Sequence, residues 1–446
     1  MMKPAKIESS DSPQFFDESE VPDGWELKKL CEDLILDIQP GFACGKNTRD
    51  GQGIPHIRPM NVTEKGQIDL TDLKFVPESE CSKPERFVNE GDVIFNNTNS
   101  PALVGKTAYY NLPEPRAFSN HMTRLRCNKE LIDPVFCAMV LHQKWREGYF
   151  KSVCNNHVSQ SSVGRQVLLD TQILLPPLAE QQRIVARVEA LLSHVNATRE
   201  RLNRVPLIMK RFREAVLQSA IEGRLVQLDS CEKKSINDED TEVSLPQSWR
   251  LEAIENHVSR LTNGYVGPTR DIYIESGIPY LLARHIKKHK IIFDQRTFIS
   301  EEFNQKNRKS ILKKGDVLVV QSGDIGQTAV VDDDHVGHNC HALIVITPKG
   351  ESLDGHYLSI YFSSITGQNA TRQIQTGITL KHLNCKDVKK IKIPLPTLAE
   401  QREIVRRVGL LFERADAIDR EVEVAGRRCE RLTQAVLGKA FRGELK

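Results

Sequence analysis

The sequence predicts an α+β protein. It has two tandem mixed α/β domains, separated by a long antiparallel two-helix coiled coil and related by a pseudo-two-fold axis. Three observations predict it. Leu175–Val188 reads LPPLAEQQRIVARV and Leu395–Val408 reads LPTLAEQREIVRRV, one phrase repeated 220 positions apart. Shorter motifs upstream of each phrase recur in the same order. Each phrase also opens a stretch whose apolar residues step by four and three, the spacing of a coiled-coil seam.

In chain order, residues 1–20 are polar, lack the apolar core of a signal peptide and read as a disordered tail. The first domain spans 21–174, a central spacer helix 175–228, a polar acidic linker 229–244, the second domain 245–394 and a distal spacer helix 395–446. The domains are duplicates: VPDGWEL (21–27) pairs with LPQSWRL (245–251), IPHIRPMNV (54–62) with IPYLLARHI (278–286), GDVIF (91–95) with GDVLV (315–319), and GKTA (105–108) with GQTA (326–329). Short β-branched runs such as GDVLVVQSG and HALIVITP, broken by Gly, Pro and Asn, predict strands of a twisted sheet. LIDPVFCAMVLHQKW (131–145) predicts a helix between them.

The first stripe is Ile184, Val188, Leu191, Val195, Thr198, Leu202, Val205, Met209, Phe212 and Val216. The second is Ile404, Val408, Leu411, Ala415, Ile418, Val422, Ala425, Cys429, Leu432 and Val436. Thr198 alone is polar. Thr397 and Glu400 form a capping box at the start of the second helix, and Pro176-Pro177 suits the start of the first. Pro206 removes a helix hydrogen bond, and the pattern predicts a kink there rather than a reversal, because the heptad phase continues through it. Two stripes that pack antiparallel would make a spacer about 65 Å long, near two turns of B-DNA at roughly 34 Å each.

Composition narrows the function. Apolar residues make up 39% of the chain, charged residues 27% and aromatics 6%, as in a soluble globular protein. No apolar run is long enough for a transmembrane helix. Ten scattered cysteines without an export signal predict reduced thiols and a cytoplasmic location. A net charge of +3 permits nucleic-acid binding but does not drive it through bulk charge.

Polar loop side chains that present donors and acceptors to base edges are the candidate readers. In the first domain they are Arg58, Asn61, Asn96, Asn97, Thr98, Asn99, Lys151, Asn155, Asn156 and Gln160, with Lys106 as a phosphate contact. In the second they are Arg284, His285, Lys287, Lys288, Gln321, Ser322, Gln327, Gln375, Thr376, Thr379, Lys381 and His382. GKT at 105–107 is not a nucleotide-binding loop, since Ser100 stands where a Walker motif needs glycine. His335, His338, Cys340 and His341 are spaced like metal ligands, but the first domain has no equivalent, and no metal site is predicted. Cys429 lies on the apolar stripe and reads as a core residue. No catalytic set stands out, and the Asn/Asp-Pro-Pro-aromatic loop of an amino-methyltransferase is absent.

The repeated phrases LPPLAEQQRIVARVEALL and LPTLAEQREIVRRV and the ending AVLGKAFRGEL resemble the specificity subunit of type I restriction–modification enzymes, from Val21 onward. The resemblance implies two target-recognition domains that each read half of a bipartite double-stranded DNA sequence. It implies helices that hold them apart and bind two methyltransferase subunits, with restriction subunits joining the complex. It also implies a non-catalytic chain that binds no cofactor itself, the complex using S-adenosylmethionine, ATP and Mg through its other subunits. A stand-alone DNA-binding protein and a coiled-coil scaffold are the alternatives. Family members often read IPxLRxxNI where this chain has IPHIRPMNV; the first domain keeps Arg58 and Asn61, whereas the second has Leu282 and His285.

Overall fold

The computed structural model describes residues 21–31, 33–156, 160–226, 233–238, 241–287, 289–294, 296–377 and 381–445. The expected tail at 1–20 lies outside them. The chain divides into two units: one ends at Arg201 and takes in the segment from Ala425 onward, and the other is Leu202–Val424. Each long helix is thus divided between the units near its middle, where the sequence boundaries assigned it whole to a spacer.

The first unit is built on a four-stranded antiparallel sheet in the order Ile35–Pro40, Met122–Cys127, Val93–Asn96, Thr107–Tyr109. Its central run has no polar alternation because both faces are covered. Val93 and Phe95 point into one core and Ile94 into another, as the two-residue period of a strand requires. The second unit repeats the plan with Val258–Asn263, Leu343–Pro348, Val317–Val320 and Thr328–Val330. There Val317 and Val319 face one core, and Leu318 and Val320 the other. The aspartate of each GDV motif is buried beside this sheet. Asp92 accepts from Arg126 Nε at 3.0 Å, while Arg124, almost wholly buried, pairs with Asp37. Asp316 pairs with Arg260 and accepts from Thr347 Oγ1 at 2.5 Å.

A helix covers each sheet and begins at an aspartate that satisfies its orphan amides. Asp133 accepts from Val135 and Phe136 at the head of Pro134–Arg146; Asp354 accepts from His356 and Tyr357 at the head of Gly355–Ser363. The opening strand of each domain pairs with the strand that leads out of it: Glu26–Lys29 with Gln172–Leu175, and Arg250–Ala253 with Lys392–Leu395. The long helices, Leu178–Ile221 and Leu398–Phe441, follow directly. The first runs through Pro206 as one helix.

Within each unit the two helices pair antiparallel. In the first, Ile184 and Val188 share a core with Leu437, Ala440 and Phe441, and Arg199 pairs with Glu430 at 3.2 Å. In the second, Val216, Leu217, Ala220 and Ile221 share a core with Ile404 and Val408, and Arg213 reaches Asp416 at 2.5 Å and Asp419 at 2.9 Å. Leu191, Val195, Leu202, Met209, Phe212, Leu411, Val422 and Val436 are half-buried along the stripe.

Two stripe positions need correction: Ile418 is 44% exposed and Leu432 is 54% exposed. Near Leu432 the buried face passes from Cys429 to Thr433, Leu437 and Phe441, steps of four rather than four and three. A straight helix drifts from a 3.5-residue repeat, and at this end it packs on the globular core, with Phe441 against Phe136, as well as on its partner helix. The expected linker at 229–244 also needs correction. Strands Lys233–Asp238 and Thr241–Pro246 pair as a hairpin, the alternating T-E-V-S-L run meeting strand requirements that its acidity obscures.

The repeated phrase has a structural job that its heptads do not reveal. Gln181 is fully buried; its Oε1 accepts from the Asp133 amide at 2.8 Å, and its Nε2 donates to the carbonyls of Leu131 at 3.0 Å and Pro176 at 2.8 Å. Gln401 makes the same three bonds, from the Asp354 amide at 2.8 Å and to the carbonyls of Ser352 and Pro396 at 3.0 Å. Each glutamine ties its long helix to the cap of its domain's own helix. The far helix ends are fixed too. Gly223 and Gly443 have φ of +72° and +73°, and a Cβ on either would meet the proline three residues before Trp249 or Trp25, Pro246 or Pro22. The GW-type openings of the domains and the EGRL-type endings of the helices repeat together because they touch.

Candidate nucleic-acid interface

In each domain the structure joins two polar segments that lie far apart in the sequence. In the first, a three-stranded ribbon forms from Asn155–Asn156, Ser161–Ser162 and Thr98–Asn99. The Val163 amide donates to the Asn97 carbonyl at 2.9 Å at its root. In the second, Ser322 and Thr376 both bridge to His382, and the Leu383 amide donates to the Gln321 carbonyl at 3.0 Å. The two ribbons occupy the same place in the plan, projecting from the end of the central strand, Val93–Asn96 or Val317–Val320.

Lys151, Asn155, Asn156 and Gln160 are exposed on or beside the first ribbon, with Thr98 and Asn99 half-buried. Asn97 donates through Nδ2 to Thr123 Oγ1 at 2.9 Å and to the Asn120 carbonyl at 3.4 Å. In the second domain Gln327, Thr376 and Lys381 are exposed, and Ser322, Gln375 and His382 are half-buried. Thr379 lies outside the described residues. Asn97 Oδ1 and its counterpart Gln321 Oε1 are buried acceptors with no hydrogen-bond donor among the described residues. Arg284 and Lys287 are exposed beside the hairpin of Ile286–Lys287 with Lys290–Ile291, and Lys288 lies outside the described residues.

Five candidates are engaged in bonds within the domain scaffold. Asn61 is buried and holds a tight turn: Oδ1 accepts from the Arg58 amide at 3.0 Å, and Nδ2 donates to the carbonyls of Asp69 and Asp72. His285 does the same work in the second domain, its Nδ1 accepting from the Leu282 amide at 3.0 Å. Asn and His replace one another there because each offers an acceptor at the same reach. Arg58 donates to the Asp72 carbonyl at 3.1 Å and pairs with its carboxylate at 3.5 Å. Asn96 is fully buried and donates to the Leu103 carbonyl at 3.0 Å. Lys106 is also buried, with Nζ on the Val62 carbonyl, and burial lowers its pKa. Its ammonium is turned inward onto that carbonyl. The equivalent Gln327 is exposed, so the GKT/GQT pair does not mark one shared contact.

Sequence reasoning missed the loop at Asn120 and His121. The amides of Asn97 and Thr98 donate to the His121 carbonyl at 3.1 and 3.2 Å, so this loop supports the ribbon. Its partners lie more than twenty positions away, and no local pattern marks it.

Among the described residues, no helix is long and apolar enough to cross a membrane. Residues 22–207 and 261–421 match the family model described as the type I restriction modification DNA specificity domain. The chain is 30% identical over 433 residues to the type I restriction enzyme EcoBI specificity subunit of Escherichia coli, covering 95% of this chain and 87% of that one. It is also 30% identical over 445 residues to the EcoKI specificity subunit of Escherichia coli strain K12, covering 95% and 90%. Its fold is similar to a chain solved in work on complex assembly and conformational transition of the type I R-M system. The TM-score is 0.70 at 23% identity, over 95% of this chain and 99% of that one.

Proposed function

Because the chain belongs to the type I restriction–modification specificity-subunit family, we propose that it reads a bipartite DNA sequence, one half with each domain, through the two polar ribbons. The observation that carries this reading is the assembly of each ribbon from two segments of donors and acceptors remote in sequence. Amide, hydroxyl and imidazole groups on an extended ribbon meet base edges in the major groove, which admits a β-ribbon. Exposed lysines beside it, such as Lys151 and Lys381, position the phosphates without specifying sequence.

The ribbons differ in sequence while their roots match, so the half-sites differ and the target is asymmetric. The long helices set the interval between half-sites. They also dock two methyltransferase subunits, and Leu207, Ile208 and Leu410 expose apolar surface for such contacts. Restriction subunits join through that complex. Catalysis, with S-adenosylmethionine, ATP and Mg, belongs to those partners, and this chain supplies address rather than chemistry. A cytoplasmic location follows from that role.

The test is the methylome of the source cells with and without this gene. Loss of methylation from one motif of two specified halves around unspecified bases is the expected result. Loss from a contiguous palindrome, or no change, contradicts the reading.

A further inference from the structure

The two domains share a plan but not a charge. In the second, the eleven residues before the buried aspartate read QKNRKSILKKG (305–315); in the first, CSKPERFVNEG (81–91). Lys309 and Lys314 therefore stand where the first domain has Glu85 and Glu90. The short helix after the ribbon differs in the same sense. Lys386, Lys389 and Lys390 of Cys385–Lys390 replace Gln166, Leu169 and Asp170. Asp170 is moreover tied to Lys29 at 3.1 Å.

One edge strand, Val258–Asn263, backs both basic segments. Arg260 donates to the carbonyls of Lys309 at 3.1 Å and Ile311 at 2.9 Å, and Cys385 Sγ donates to Asn263 Oδ1 at 2.8 Å. Both segments are thus anchored to the same short strand, three residues apart, at Arg260 and Asn263. Lys306, Arg308, Lys309, Lys386 and Lys390 are exposed and have no ion-pair partner among the described residues. Glu301, Glu302 and Asp387 are the nearby acidic groups in the sequence, and Lys314 is paired with Asp333. The helix Cys385–Lys390 begins two residues after Leu383, whose amide holds the ribbon root. The basic strip is therefore continuous in the chain with the ribbon.

We propose that the second domain carries a sequence-independent binding strip for the phosphates of duplex DNA flanking its half-site, formed by 305–315 and Cys385–Lys390 and lacking a counterpart in the first domain. The proposal rests on the DNA-reading role above and adds an affinity contact to it. Exposed lysine and arginine side chains neutralise phosphates and release counterions, so they steepen the dependence of affinity on salt without reading bases.

The experiment uses the full chain with K306Q, R308Q, K309Q, K386Q and K390Q combined. Binding is titrated between 50 and 200 mM salt on two duplexes, one carrying the methylated motif and one scrambled. Contact with two phosphates makes the slope shallower by about 1.8, so the variant's affinity falls about 12-fold less than the wild type's over that range. The same reduction is expected on both duplexes, with discrimination between them retained. A charge-keeping variant, K306R/K309R/K386R/K390R, is expected to hold the wild-type slope and reports on folding. Unchanged slopes overturn the strip and point to another polyanion; lost discrimination overturns it by showing base contact. Failure of the wild type to discriminate would instead overturn the DNA-reading role, a result separate from the slopes.

Discussion

Replacing Gln181 or Gln401 with leucine is expected to destabilise one unit by about 3 kcal/mol and leave the other unchanged. Each glutamine satisfies a partly buried amide, a partly buried carbonyl and a buried proline carbonyl at once. Leucine matches its bulk but strands three polar groups, of which the proline carbonyl is fully buried and costs about 1–3 kcal/mol without a partner, the two partly buried groups costing less. Part of that cost is relieved as the helix start loosens, so the sum is not reached. Denaturant unfolding followed by hydrogen exchange separates the units. Gln181→Leu is expected to lower protection at Asp133 and the start of Leu178–Ile221; Gln401→Leu is expected to do so at Asp354 and Leu398–Phe441. Wild-type unfolding in both variants contradicts the latch.

Arg124→Met is expected to cost about 3–5 kcal/mol, the usual consequence of removing one member of a buried charge cluster. Arg124 is the largest charged side chain fully enclosed in the first domain, pairing with Asp37 and lying 3.9 Å from Asp92. Without it, Asp92 keeps Arg126 at 3.0 Å, while Asp37 keeps only a longer contact with Arg126 at 3.8 Å and the Gln39 amide at 3.2 Å. Adding Asp37→Asn to Arg124→Met is expected to recover part of the loss, because the two carboxylates then no longer share the single cation Arg126. Thermal unfolding of the single and double variants checks it; a double variant no more stable than the single one contradicts the assignment.

The backbone plan was legible because its signals are local and occur twice. GDVLVVQSG predicts a strand from its own residues, and the paired copies fix its place. The charge cluster was only half legible. The aspartate of GDV is constant, but its partner is Arg126 of Met122–Cys127 in one domain and Arg260 of Val258–Asn263 in the other. Only a three-dimensional sheet makes those positions interchangeable. Gln181 and Gln401 were visible as an identity within the repeated phrase, yet a helical glutamine ordinarily meets solvent, and nothing local marks it as enclosed.

The candidate interface was legible in its segments and not in its individual residues. NNTNS and the stretch around Asn155 stood out as polar clusters, and folding joins them. Asn61, Asn96 and Lys106 carry the same chemistry, but residue type does not reveal whether it serves a base edge or a backbone carbonyl. The stripe failed at Leu432 for a related reason: heptad spacing assumes a helical partner alone, and there the helix packs on a globular core as well.

The most direct measurement is the methylome of cells in which residues 21–174 are replaced by the matching domain of a relative with a different known target. The long helices, the second domain and its ribbon stay intact. The account predicts that one half of the motif becomes the relative's, while the other half and the interval between them remain unchanged. Simultaneous change in both halves, or an unaltered motif, would contradict the claim that each domain reads its own half.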